Sequence, residues 1–332
     1  MDRRRPVARA AASGLALVLA LCGSRVAWAS CGAESCPLDL RAAHTGDGPL
    51  AFGLTWQYVP QDRVRVGSRP GVVGQPPSPE DEVRTVSRVT AAVAHVQLAP
   101  RWWLEATVPF VERSHLHDRN VPGLPTQPMR WDYSGLGDAQ LLADWQASPR
   151  GSRTTVKLQG GVKLPTGERH TGTVDGEEPE PAARPGTGSW DGLAGVHVMR
   201  SASLPLPGGG QAFTPVFLSA LGRLNGRGTD EYRVGRELQL GAGSSCPLAG
   251  PVTLLAQVSV RFRGRDDPGR TDALAANTGG AAVFVSPGLS IASERGASLF
   301  GSVQLPVYQR VNRIQIVAPY MVYLGFTLSP SH

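Results

Sequence analysis

"TTVKLQGGVKLPTGERH", residues 154–170, sets apolar and polar side chains on alternate positions and then meets a proline. Val156, Leu158, Val162 and Leu164 share one parity; Lys157, Gln159 and Lys163 share the other. These two lysines are the only ones in the chain. A period of two describes a strand with one apolar and one polar face. Pro165 cannot donate to a sheet ladder, so the ladder must end or bulge where it stands.

The same alternation recurs along the chain. "LAFGLTWQYV" puts Leu50, Phe52, Leu54, Trp56 and Tyr58 on one face, and "VTLLAQVSVRFR" puts Leu254, Ala256, Val258, Val260 and Phe262 opposite Gln257, Ser259, Arg261 and Arg263. Twelve such strands are predicted near 50–59, 83–98, 101–113, 136–147, 152–164, 188–200, 211–224, 232–244, 252–263, 279–291, 298–309 and 314–328. The parity of 83–98 is broken, which predicts a bulge there. The 40 glycines and 28 prolines among 332 residues suit many short strands and turns, not a helical protein. After residue 29 no apolar run is long enough for a membrane helix.

Connection lengths carry a second signal. Residues 60–82, 114–135, 165–187 and 264–278 are long and rich in Pro, Gly or charge, whereas "AP", "ASPRG" and "SERGA" are tight. Only 201–210 is longer than its place in the alternation predicts. An even strand count with long and short connections in turn is the pattern of an antiparallel up-and-down transmembrane β-barrel, with long outer loops and short periplasmic turns. Aromatics add a third check: Trp102 and Trp145 fall at the predicted periplasmic end, and Tyr58, Phe110, Trp190, Tyr232, Phe262 and Tyr308 at the outer end, as interfacial girdles require. The apolar-Pro-x-x-x-Arg pattern of "VPFVER" (108–113), "LPTGER" (164–169) and "LPVYQR" (305–310) marks the outward ends of three strands.

The N-terminus reads as a secretory signal over 1–29: a basic start, the apolar "AAASGLALVLALCG" and the small-residue site Ala27-Trp28-Ala29. Residues 30–48 show no alternation and are expected to form a periplasmic leader or plug before the barrel at 49–332. Removing the signal lowers the net charge from +6 to +2, so the basic pI gives no case for nucleic-acid binding. Cys22 leaves with the signal. Cys31 and Cys36 are spaced for a short disulfide loop in an oxidising compartment, with Cys36–Cys246 as a rival pairing.

"GVKLPTGER", "PGTGSWDGLAGVHVMRS" (185–201), "YSGLGDAQLLADW" (133–145) and "PGLSIASERGASLFGSVQLPVYQRVN" (287–312) resemble blocks of an outer-membrane β-barrel family labelled meta-pathway phenol degradation, described as transporter-like. The likeness covers most of 80–328. It implies a passive, porin-like channel for small, hydrophobic or aromatic molecules in the outer membrane of a Gram-negative bacterium. The implied partners are outer-membrane lipid, a small-molecule solute and the barrel-assembly machinery, for which Phe326 in "GFTLSPSH" is the aromatic signal at hand. No cofactor is expected.

The predicted lumen face carries Glu105, Asp138, Asp144, Lys157, Lys163, Asp191, Arg233, Glu237, Arg261 and Arg263. Mixed acids and bases of this kind cross-pair inside a small barrel or line a polar path in a wider one. "SHLHD" (114–118) offers Ser114, His115, His117 and Asp118. A hydrolase reading needs nucleophile and base to converge, and a lipid-modifying enzyme would have to use this stretch; a solvated loop is the simpler expectation. A non-conducting structural barrel is the third reading.

Overall fold

The computed structural model describes residues 49–75, 80–172, 179–205, 211–271 and 275–329. The predicted signal, the leader and the Cys31–Cys36 bridge lie outside these residues. No helix among the described residues is long and apolar enough to cross a membrane.

Sixteen strands follow in order: β1 Leu50–Gln61, β2 Arg63–Val66, β3 Arg69–Pro70, β4 Glu80–Ala99, β5 Trp102–Arg119, β6 Gln127–Leu136, β7 Gln140–Gln146, β8 Thr154–Lys163, β9 Asp191–Pro205, β10 Gln211–Asn225, β11 Glu237–Ala249, β12 Val252–Arg263, β13 Gly280–Ala292, β14 Ala297–Val311, β15 Ile314–Val317 and β16 Met321–Leu328. β1 pairs with both β4 and β16, and every other step is antiparallel to its neighbour, so the sheet closes on itself. β6 and β7 both pair with β5, one above the other, and count as one interrupted position in the wall. The result is a closed twelve-stranded antiparallel barrel. β2, β3 and β15 form a separate small sheet at one end.

Twelve strands stand where alternation predicts them, with corrections at their ends. β5 runs to Arg119 and β6 begins at Gln127, so much of the expected loop 114–135 is strand. The last predicted strand, 314–328, divides into β15, which joins the small sheet, and β16, which closes the barrel. β11 begins at Glu237, and just before it Gly235 lies so close to the backbone of Gly264 that a side chain would not fit there. The expected bulge in 83–98 is present twice, at the register shifts Glu82/Arg84 and Gln97/Ala99. Since β9 extends to Pro205, the connection to β10 shrinks to 206–210, and all short connections fall at one end of the barrel.

The faces are inverted relative to a water-soluble sandwich. Leu54, Leu218, Leu299 and Leu324 are 48–61% exposed on the outside. Thr55, Gln57, Gln257, Ser259, Ser286 and Gln304 are buried on the inside. A continuous apolar exterior of this extent is stable only against lipid. Trp102 and Trp145 pair across β5 and β7 at the short-turn end, with ring centroids 6.3 Å apart. At the opposite end Phe110, Trp190 and Tyr308 are exposed. Tyr232 is not part of that girdle: it is buried, and its hydroxyl donates to Asp266 at 2.6 Å.

All three proline motifs sit where a ladder breaks. Pro109 faces the gap between β6 and β7, and its carbonyl accepts from Gly137 N–H at 2.8 Å. Pro165 stands two residues beyond the end of β8. Pro306 stands at the register shift between β13 and β14, where Val307 is the extra residue that also moves Tyr308 to the other parity. At each site a missing donor costs little.

Candidate functional site

Inside the barrel is a cavity of about 340 Å³. One wall is apolar: Val89, Ala91 and Val93 on β4, Pro109 and Val111 on β5, and Leu142 on β7 line it. The cross-strand pairs Val89↔Val111 and Ala91↔Pro109 make this strip continuous. The facing wall, on β10 to β12, is polar, with Arg223, Glu237, Gln239 and Gln257 among its residues, while Glu105 on β5 borders the apolar strip beside Leu142 and Lys163 on β8 stands between the walls. The cavity is capped from the outer end by 182–187 of the β8–β9 connection, of which Ala182, Arg184, Pro185 and Thr187 line it.

That cap is held by charge. Lys163, at the end of β8, reaches Asp138 at 2.8 Å and Asp191 at 2.9 Å, and all three side chains are at most 4% exposed. Asp138 also accepts from Gly167 N–H and Thr187 N–H, each at 3.0 Å, and from the Thr187 hydroxyl at 2.9 Å. Asp191 accepts from Ser189 Oγ at 2.8 Å and Gly226 N–H at 3.1 Å. A buried ion cluster is tolerable only with its remaining lone pairs satisfied, and this one is. Arg113 tightens the same cap: its guanidinium donates to Ser87 Oγ at 3.0 Å and to the carbonyl of Ala183, which also accepts from the Tyr133 hydroxyl.

Glycine makes the wall beside the cap possible. Gly137, Gly167 and Gly186 lie backbone against backbone; a Cβ on Gly167 would stand 2.7 Å from Gly137 C and from Gly186 Cα. At this height strand pairing is replaced by single hydrogen bonds: Leu164 N–H to Ala139, Glu168 N–H to Leu136 and Gly186 N–H to Glu168, each 2.8 Å. The motifs "YSGLGD", "LPTGER" and "PGTGSWDG" therefore encode one place, the glycine contact and its charged clasp.

The other lumen candidates fare as follows. Asp144 is buried and accepts from Gln159 at 3.1 Å. Lys157 lies 4.4 Å from the centroid of the Trp103 ring. Glu237 and Arg261 pair inside the barrel at 3.6 Å. Arg263 is buried and makes two 2.9 Å bonds to the carboxylate of Asp266. Arg233 is placed elsewhere: it precedes β11, is exposed, and reaches Asp267 at 3.3 Å on the outer surface. Period-two reading missed Arg113, Arg184 and Arg223. Arg113 closes the "VPFVER" motif, where a strand end is expected, and Arg184 sits in a connection without alternation.

"SHLHD" is strand, not loop. β5 turns His115 and His117 inward, where His115 stacks on Trp131 with centroids 5.4 Å apart and His117 lies tilted to the same ring at 4.5 Å. Ser114 pairs with Asp132 and falls on the outward parity, so it shares no face with either histidine. Cys246 lies on β11 and forms no disulfide among the described residues.

An apolar outside, a polar-lined lumen and a closed even-numbered ladder define an outer-membrane β-barrel. No family model and no curated protein matches the chain. Among solved structures it is similar to an outer membrane channel from Pseudomonas putida F1, at 13% identity and TM-score 0.61 over 89% of this chain and 99% of that one. Weaker likenesses include a FadL homologue from Pseudomonas aeruginosa (11% identity, TM-score 0.43, 91% and 97% covered) and the toluene transporter TodX of Pseudomonas putida (7%, 0.39, 86% and 90%). At these identities what is shared is the fold.

Proposed function

We propose that the protein is a passive outer-membrane channel for small hydrophobic or aromatic molecules. The observation that carries this reading is the lumen cavity with a continuous apolar strip on one wall and charged groups on the other. A water-filled porin path needs no such strip; an apolar solute shielded from water gains from it. The wall of single hydrogen bonds at Leu136, Ala139 and Glu168 lies beside the cavity's cap and lacks a full ladder. Breaking it would let an apolar solute leave sideways into lipid. The meta-pathway phenol degradation label read from the motifs agrees with this class of cargo.

On the same reading residues 1–29 direct export, 30–48 form a periplasmic leader, and the assembly machinery inserts the barrel. Lys163, Asp138 and Asp191 hold the cap, and Glu105, Glu237 and Arg261 set the polarity of the path. A lipid-modifying enzyme is disfavoured by the opposite orientations of Ser114 and His115.

The test is single-channel recording on purified protein in planar bilayers, together with uptake of a labelled monoaromatic hydrocarbon by proteoliposomes. Discrete conductance with saturable uptake is expected. A silent barrel that leaves uptake at the protein-free level would instead make it a structural barrel.

A further inference from the structure

The outward face of β14 changes character with height. Val303 and Leu305 are exposed apolar residues, Val307 and the aromatic Tyr308 follow, and Arg310 comes next on the same parity as Tyr308. Hydrocarbon, interface and headgroup follow one another in the same order along a bilayer normal. Beside Arg310 the small outer sheet forms a recess of about 590 Å³, lined by Val66, Arg69, Arg265, Tyr308, Arg310 and Arg313 together with residues 67–68 and 311–312. Among the described residues no Asp or Glu lines it. Among the described residues Arg69, Arg265 and Arg313 make no ion pair with a carboxylate.

The recess is built before anything enters it. Gly67 N–H donates to the carbonyl of Arg313 at 2.9 Å, and Val311 N–H donates to the carbonyl of Gly67 at 3.0 Å. Asn312 Nδ2 donates to Thr278 at 2.8 Å. Arg65 braces the turn by donating to Ser68 O at 2.9 Å and to Gln309 Oε1 at 3.3 Å. Arg313 is held at φ +50°, a left-handed conformation that a non-glycine residue adopts only when its surroundings impose it.

We propose that this recess binds the phosphorylated headgroup of an outer-leaflet lipid. The guanidinium groups of Arg69, Arg265 and Arg313, which make no ion pair among the described residues, stand with that of Arg310 around the recess at the height of the headgroups. Guanidinium is the side chain whose planar fork matches phosphate oxygens in pairs. The exposed Tyr308, Val307 and Leu305 beneath the recess receive the first carbons of the acyl chains. A free anion would need only the arginines, whereas a lipid uses the arginines and this apolar stripe together. The inference rests on the outer-membrane placement, not on the channel activity.

The test uses the full barrel in detergent and native mass spectrometry, with bisphosphorylated lipid A as probe. The wild-type protein should retain the lipid, and Arg310→Gln combined with Arg313→Gln should weaken retention at least about tenfold, since two charge-assisted contacts are lost. Lipid A stripped of its phosphates should be retained no better by the wild type than by the variant. Equal retention by wild type and variant, or undiminished retention of the stripped lipid, would overturn the proposal. Full displacement of lipid A by millimolar inorganic phosphate would assign the recess to a free anion and overturn it as well. Heat-modifiable migration certifies that the variant is folded; if it is not, Arg69→Gln and Arg265→Gln, outside the barrel strands, carry the same comparison. Conductance recorded on the same variants separates the two readings. A barrel that conducts without lipid retention loses only the lipid site, and one that retains lipid without conducting loses only the channel.

Discussion

At the scale of single residues, Lys163 is the most consequential side chain in the molecule. It balances two buried carboxylates, one between β6 and β7 and one at the start of β9, and both also collect hydrogen bonds from the β8–β9 connection. Lys163→Met would leave two negative charges facing each other out of water. We expect a loss of about 3–5 kcal/mol, measured by urea unfolding in lipid vesicles, as for other buried pairs stripped of one partner; a cost below about 1 kcal/mol would show the cluster to be well solvated. Leu158 and Lys157 test the faces. Leu158 is exposed on the lipid side, and Leu158→Arg should cost about 2–4 kcal/mol near mid-membrane, against a smaller loss for Lys157→Leu. The reverse order would invert the faces. The inward direction of Lys163 was legible from parity alone. Its convergence with Asp138 and Asp191 was not, because alternation assigns a face and says nothing about which strand ends meet. Arg233 and Tyr232 misled for a related reason. Apart from Arg236 their run continues the parity of β11, yet the strand begins only at Glu237, and Gly235 packs against the backbone of Gly264 before it.

At the scale of elements, the barrel's strands were readable and its connections were not. Alternation between lipid and lumen imposes a period of two on every spanning segment, whereas β6 carries Pro128 and follows a stretch with Pro122, Gly123 and Pro125, so it resembled a loop. The glycine contact explains why three motif blocks share that residue. Gly167→Ala should cost about 1–3 kcal/mol by overpacking, with a larger effect on the cap than on the distant wall. Hydrogen exchange should show lost protection at Glu168 and Gly186; unaltered exchange there would mean that the backbones can part without penalty. A second clasp joins the β10–β11 and β12–β13 connections. Asp267 accepts from Arg227 at 2.8 Å and Arg233 at 3.3 Å. The Gly269 N–H, and then these arginines, hold its carboxylate below the usual 3.8. A lowered value in the folded state means that the clasp is at full strength above the unfolded value and is lost as pH falls through the folded one. The mobility of a spin label in 264–271 should therefore be constant above about pH 5 and rise in stronger acid. Asp267→Asn should show the acid-state mobility already at neutral pH. A label equally mobile in both proteins at pH 7 would dismiss the clasp.

At the scale of the whole molecule, orientation follows from the closure of the sheet. β1 begins at Leu50 and β16 ends at Leu328, and Phe52 pairs with Leu328, so both ends of the described barrel lie beside each other. The connections at that same end are the short ones: 100–101, 147–153, 206–210, 250–251 and 293–296. The opposite end carries 164–190, 226–236, 264–279 and the small three-stranded sheet. A barrel inserted from the periplasm keeps its termini and tight turns on that side and carries its long segments across. The lumen cap and the arginine recess both belong to the long-loop end, so both are predicted to face the exterior. An epitope inserted within 173–178 should be reached by antibody on intact cells. One inserted within 148–151 should be reached only after the outer membrane is permeabilised. The converse labelling would turn the barrel over. It would place the cap at the exit instead of the entrance, and it would set the four arginines against the inner leaflet.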